Sequence, residues 1–437
     1  MQTETTADRG RGALRRAVTA ADRAGGGLVV DIGLYALSAG FAWWTATAST
    51  LAPHRAWGAV AAVGYAVAAV LASGQLILRR LLGRLVGRMV LVAAAWAATA
   101  LVPLVLQAWQ RAGGRIDRAQ EEVLVVEDGA RRLLESGTPY LDRSAIAALP
   151  ADERLLAYLP YQPGMAAFGL PRALDPDAGW WSDARIWFAL ATAAALGAAL
   201  LLLRRAGVPG GQLVRAGQVA TVLPLCALTL ATGGDDLPVL ALCLLAMAFA
   251  AGDRHVAAGL SVGTAAALKL FAWPVALVLA VHAATRGSGA RFAAAALAVP
   301  LATSLPALFL DPAAMVENVF AYPLGRGLVA SPAASPLPGH LLATAVPGGR
   351  TMALGLLGLT AAAIVIWLWR RPPRTAAAVA TVCATGLLGA MLLLPATRFG
   401  YLLYPAAFAV WAAVLAGGQR RFAGAERRGS LPGRVNR

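Results

Sequence analysis

Between Met89 and Trp109 the chain runs for 21 residues without a charge (MVLVAAAWAATALVPLVLQAW), and this limits what it can fold into. At about 1.5 Å per residue, a helix of that length crosses the roughly 30 Å hydrocarbon core of a bilayer. Comparable runs begin near Leu28 and recur almost to the end, which argues against a cleaved signal peptide. The chain of 437 residues is 59% hydrophobic and only 14% charged, with mean hydropathy +0.64. That is too little charge to cover a soluble surface. The sequence therefore predicts a protein that crosses the bilayer many times.

A net charge of +16 could suggest a nucleic-acid partner. The cations are 37 arginines and one lysine, Lys269. In an apolar chain rich in Ala and Gly, loop arginines that set topology and meet anionic headgroups are the simpler account. No nucleic acid is expected. Cys226, Cys243 and Cys383 lie inside apolar segments, and His54, His255, His282 and His340 show no ligand spacing. Neither a disulfide framework nor a metal site is indicated, and no cofactor motif is present.

Basic loops set the expected topology, because Lys and Arg are retained on the cytoplasmic side. The tail 1–27 is basic and lacks apolar periodicity, so it reads as a disordered cytoplasmic segment. Arg79, Arg80, Arg84 and Arg88 place the loop after the second span inside, and the third span exits again. A polar stretch over 111–183 is then the large extracytoplasmic loop. Within it, 158–174 is short and holds Pro160, Pro163 and Pro171, so it reads as re-entrant or interfacial. Keeping the later basic loops inside requires the run 256–284 to break near Lys269 into two short spans. A second outer loop covers 311–350, the transmembrane domain covers 28–417, and 418–437 is a basic cytoplasmic tail. On this scheme both termini are cytoplasmic, and 16 of the 22 acidic residues lie on the outer face.

Five groups could carry chemistry. Lys269 lies in apolar sequence, where a cation needs an anionic partner or an escape to the interface. It is either a phosphate or carboxylate partner at the outer rim, or a snorkelling lysine at a helix end. Asp235 and Asp236 lie in the turn GGDDLP and could orient a hydroxyl, hold a cation or act as a base; equally, they could be a solvated turn. Asp117, Glu121, Glu122 and Asp128 open the large loop, and Asp117 and Glu121 would share a face if the stretch is helical. A carboxylate held there could take a proton from an attacking hydroxyl, and a water-facing amphipathic helix is the plainer alternative. Tyr158 and Tyr161 could line a substrate site or belong to an interfacial aromatic belt. Arg398 could pair with a phosphate or simply charge a turn.

The segments EDGARRLLESGTPYLD (127–142), YLPYQPGMAAFGLP (158–171), AAGLSVGTAAALKLFAWP (257–274) and LLLPATRFGYLLYP (392–405) share a familiar order. Together they resemble glycosyltransferase family 87, the polyprenyl-phosphate-mannose-dependent mannosyltransferases of the GT-C superfamily. The resemblance implies an all-α GT-C-like bundle of about 12 transmembrane helices in the cell membrane. It also implies a polyprenyl-phosphate-linked sugar donor and a lipid or glycan acceptor at the outer leaflet, with inversion at the anomeric carbon. The family's catalytic aspartate stands some eight residues before the glycine matching Gly129, a position held here by Glu121. Glu121 or Glu122 is thus the expected general base, with Asp117 next. Lys269 and Arg398 are expected at the donor phosphate, and Asp235, Asp236, Tyr158, Tyr161 and Asp128 at the substrate. Two spans precede the large loop that the simplest members of the superfamily lack. The competing readings are a secondary transporter and a non-catalytic envelope-assembly protein.

Overall fold

The computed structural model describes residues 24–78, 85–175 and 177–429. Most of the expected N-terminal tail, Arg79, Arg80 and Arg84, and the last residues of the C-terminal tail lie outside the described residues. The described chain is helical, with no strand; an isolated bridge joins Ala334 and Thr397. The principal helices are α1 (Leu28–Ala48), α2 (Ala52–Ile77), α3 (Leu85–Ala112) and α4 (Glu121–Ser136). They continue with α5 (Ala184–Arg205), α6 (Gly210–Thr221), α7 (Pro224–Thr232), α8 (Asp236–Ala251), α9 (His255–Leu268) and α10 (Ala272–Thr285). The last four are α11 (Gly289–Leu310), α12 (Gly349–Arg370), α13 (Ala376–Leu393) and α14 (Leu403–Gly429).

Among the described residues, eight helices are long and apolar enough to span, and the pair α6–α7, bent by 44°, makes a ninth candidate. Helices α8, α9 and α10 are apolar but have only 14–16 residues. The expected total of about 12 is reached only if these three also cross. Between its terminal arginines α12 is apolar all round and barely buried, with Leu359 69% and Trp369 79% exposed. A helix that leaves such side chains uncovered by protein is suited to hydrocarbon rather than water.

Backbone groups freed at breaks and prolines find partners on other segments, as a dry environment demands. Pro103 in α3 has no N–H to offer Thr99, and the Trp57 indole donates to the Thr99 carbonyl at 2.8 Å. At the α6–α7 bend, the Val222 carbonyl accepts from the Tyr65 hydroxyl at 2.6 Å. The chain breaks again at Lys269, whose backbone is extended. There the Leu268 carbonyl accepts from the Gln162 N–H at 3.1 Å.

That last donor belongs to the segment 158–174, which forms a 3₁₀ turn (Pro163–Gly169) and a short helix (Leu170–Leu174) and spans nothing. It is wedged between α9 and α4. A Cβ at Gly164 would stand 2.7 Å from the Ala267 carbonyl, and one at Gly169 would stand 2.5 Å from the Val126 carbonyl. Glycine is therefore required on both sides of the wedge. The wedge holds the Lys269 break against the start of the large loop.

Candidate active site

Asp117 sits on a separate 3₁₀ turn (Ile116–Arg118), and the following helix, α4, begins at Glu121, so the two do not share a helical face. Glu121 and Glu122 fill the first turn of α4, where the helix dipole favours carboxylates. Two tethers fix that turn against α7. The Gln120 N–H donates to the Thr232 carbonyl at 3.0 Å, and the Thr232 hydroxyl donates to Gln120 Oε1 at 2.7 Å.

A buried charge network behind the turn holds α4 in place. Arg111 at the end of α3 donates to both oxygens of Glu127 (2.8 and 2.6 Å) and to Asp183 (3.0 Å). Arg185 donates twice to the same Asp183 and bonds the carbonyls of Arg118 and Ala231. Burial works against the Asp183 charge, but Arg185 and Arg111 overcome it and hold the carboxyl well below the usual aspartate range.

Lys269 projects from the α9–α10 break. Its ammonium donates to Asp235 at 2.6 Å and to Asp236 at 2.5 Å. Asp236 also accepts from the Tyr404 hydroxyl at 2.8 Å. The rings of Tyr161, Tyr401 and Phe271 surround Nζ at 5.1, 5.3 and 5.7 Å from their centroids. This lysine does not snorkel: it is buried, doubly paired and caged by aromatic faces. The GGDDLP turn is likewise no solvated turn, since Asp235 and Asp236 are both buried.

Arg398 reaches across from the α13–α14 turn to Glu122, and lies 3.8 Å from Glu121. Burial raises the Glu122 carboxyl above the usual glutamate range, and Arg398 draws it back. The two carboxylates differ in access: the Glu121 side chain is 46% exposed, whereas that of Glu122 is 14% exposed and its Oε2 is buried without a hydrogen bond. The backbone of the Arg398 turn is set by residues 331–336. Ser335 N–H donates to the Thr397 carbonyl, Thr397 N–H to Ala333, and Phe399 N–H to the Ser335 hydroxyl, all at 2.9–3.0 Å.

Two cavities meet at these charges. The smaller, about 180 Å³, is completed by Tyr158, Phe271, Tyr322 and Leu394. The larger, about 640 Å³, is completed by His54, Gln120, Thr232, Asp235 and Asp236. Glu121, Glu122, Tyr161, Lys269, Arg398 and Tyr401 line both. At the smaller cavity Tyr158 stacks on Tyr322 (4.2 Å, 13°), and its hydroxyl donates to Glu317 at 2.7 Å. Burial pushes the Tyr322 hydroxyl up to about 12.

The structure thus gathers Glu121, Glu122, Lys269, Arg398, Asp235, Asp236, Tyr158 and Tyr161 around one centre. It does not bring Asp117 or Asp128 there. Asp117 is bound to Arg115 and Arg118, Asp128 to Arg131, and neither lines a cavity. Sequence reasoning missed Gln120, Thr232, His54, Tyr322 and the strap 331–336. Tyr401 and Tyr404 stood inside the quoted motif 392–405, yet nothing in their spacing showed that their rings would face Lys269 and Asp236.

Among solved structures, similarity is found to ArnT from Cupriavidus metallidurans bound to undecaprenyl phosphate. Identity is 18% and the TM-score 0.46, over 77% of this chain and 62% of that one. The chain therefore spans about three fifths of that protein's length. No curated protein sequence matches. The model of glycosyltransferase family 87 matches residues 158–395, more than half of the chain and including Tyr158, Tyr161, Asp235, Asp236 and Lys269. The chain is a membrane-embedded member of glycosyltransferase family 87.

Proposed function

We propose that the protein transfers a sugar, mannose in our reading, from a polyprenyl-phosphate donor to a lipid-linked or cell-envelope acceptor. The reaction takes place at the outer leaflet of the cell membrane, with both chain termini in the cytoplasm. One observation carries the proposal: a half-exposed carboxylate, Glu121, stands beside a guanidinium, Arg398, in the wall shared by two cavities. Glycosyl transfer from a lipid phosphate requires that juxtaposition, with a base on one side and a cation for the departing phosphate on the other.

In this reading Glu121 takes the proton of the acceptor hydroxyl, and the oxygen attacks the anomeric carbon. The bond from that carbon to the phosphate oxygen breaks, the electron pair leaves with polyprenyl phosphate, and the sugar inverts. Arg398 meets the charge that develops on the phosphate, and Glu122 holds Arg398 in place before the donor arrives. An ammonium has three N–H donors, and Asp235 and Asp236 engage two of those on Lys269. The third is available to the phosphate or the sugar. Tyr158 and Tyr161 flank the donor end, and Asp235 and Asp236 the acceptor end.

The test is to incubate the purified protein with polyprenyl-phosphomannose and a panel of glycolipids. Polyprenyl phosphate and an elongated glycolipid should appear in equal amounts with wild type, and neither with Glu121→Gln. Solute uptake into proteoliposomes with no sugar transfer would overturn the reading.

A further inference from the structure

One wall of the larger cavity comes from the hairpin of α1 and α2, through Phe41, Leu51, Pro53 and His54. The family match begins at residue 158, so this hairpin lies outside the matched region. It is nevertheless rigidly built in. Where α1 and α2 cross, a Cβ at Gly58 would stand 2.5 Å from the Ala42 carbonyl, so the backbones are in contact. Trp57 and Tyr65 of α2 carry the hydrogen bonds that cap the irregular carbonyls of α3 and of the α6–α7 bend. His54 lies one turn before Trp57, in the first turn of α2, so its position is fixed by that anchoring. It lines the same cavity as Gln120, the residue before Glu121, and Arg398.

The chemistry of this wall is divided. An imidazole and a carboxamide each donate and accept, which suits hydroxyl groups. Phe41 and Leu51, with Leu225 and Leu228 in the same lining, offer only apolar surface. A free sugar would use the first half of the wall and leave the second uncovered. A membrane amphiphile with a polyhydroxylated headgroup uses both.

We propose that the α1–α2 hairpin is the acceptor-selecting part of the enzyme. His54, with Gln120, hydrogen-bonds the hydroxyls of a glycolipid acceptor beside Glu121, while Phe41 and Leu51 cover the start of its lipid. This rests on the glycosyl-transfer reading above and adds the residues that choose the acceptor.

The experiment measures KM for donor and acceptor separately, with polyprenyl-phosphomannose as donor and two acceptors: a mannosylated glycolipid and the same oligosaccharide without its lipid. His54→Ala should raise the glycolipid KM about tenfold, the worth of one hydrogen bond, with donor KM unchanged. His54→Gln should recover much of that loss, and Phe41→Ala should narrow the preference for the glycolipid over the free oligosaccharide. Unchanged acceptor KM in His54→Ala, a parallel rise in both KM values, or equal use of the two acceptors by wild type would overturn the assignment. A wild-type protein that releases no polyprenyl phosphate with either acceptor would instead sink the glycosyl-transfer reading, and this inference with it.

Discussion

The protein holds two charged clusters at opposite ends of its bundle. At one end Asp31 in α1 accepts from Arg88 (2.7 and 3.1 Å), from Arg215 and from Gln218 (2.9 Å). The Gly26 carbonyl accepts from Arg88, and the Gly27 carbonyl and Gln218 Oε1 accept from Arg215. At the other end Lys269 is paired with Asp235 and Asp236, and Arg398 with Glu122, just as closely, while Glu121 stands 3.8 Å from Arg398. Burial and pairing therefore do not separate a structural cluster from a reactive one. Space does: the second cluster lines two cavities, and no residue of the first lines either of them. An intramembrane charge is a reasonable place to look for function. An adjoining cavity, with one carboxylate left accessible, is what the proposed mechanism needs in addition.

The comparison breaks first at Glu121. Glu121→Gln should lower transfer about 10²–10⁴-fold, the usual worth of a positioned base. Because the side chain is half exposed, the thermal midpoint in detergent should hardly move; a wild-type rate would remove the base from the mechanism. Arg398→Ala should cost about 10²-fold in kcat/KM for the donor. It should also move the Glu122 titration. Burial raises the Glu122 carboxyl and Arg398 lowers it, so losing the guanidinium drives that group further up, read as a carboxylate band that protonates at higher pH in an infrared titration. Arg398→Lys keeps the charge and should leave the band nearly in place. An unmoved band in the alanine variant would show that Arg398 does not set the Glu122 charge.

The structural end should respond differently. Arg88→Ala leaves Asp31 with less compensation and should cost about 3–5 kcal/mol of stability, while the folded fraction keeps its specific activity. Lys269→Ala strips two buried aspartates of their cation and should lose both stability and transfer. If thermal melts and initial rates show the two variants behaving alike, the contrast between the ends is wrong. The smallest effects belong to Asp117→Asn and Asp128→Asn, whose exposed pairs are worth little. Transfer should stay within about twofold of wild type, and a larger loss would return either residue to the site.

Part of the site was legible because membranes make charge conspicuous. A lone lysine in apolar sequence, an acidic run after a span and an arginine between two spans stand out where most neighbours are aliphatic. What the run could not reveal is which carboxylate faces a cavity. Asp117, Glu121, Glu122 and Asp128 differ in sequence position by a few residues, but the helix begins at Glu121. That start, set by the Gln120–Thr232 tether, turns Asp117 and Asp128 toward surface arginines. His54 and Tyr322 carried no signal, since their partners lie far away in sequence and nothing nearby marks them as polar-site residues.

The sequence by itself determined that the chain is a helical membrane protein. Long uncharged runs leave intrachain hydrogen bonding as the remedy for a backbone in hydrocarbon, and prolines with a lone lysine mark where that remedy is interrupted. Only the tertiary structure decided that those interruptions converge. The wedge 158–174, the Lys269 break, the start of α4 and the Arg398 turn come together because each carries backbone or charged groups that lipid cannot satisfy. Partners for such groups come from elements distant in the chain, and sequence separation says nothing of spatial distance.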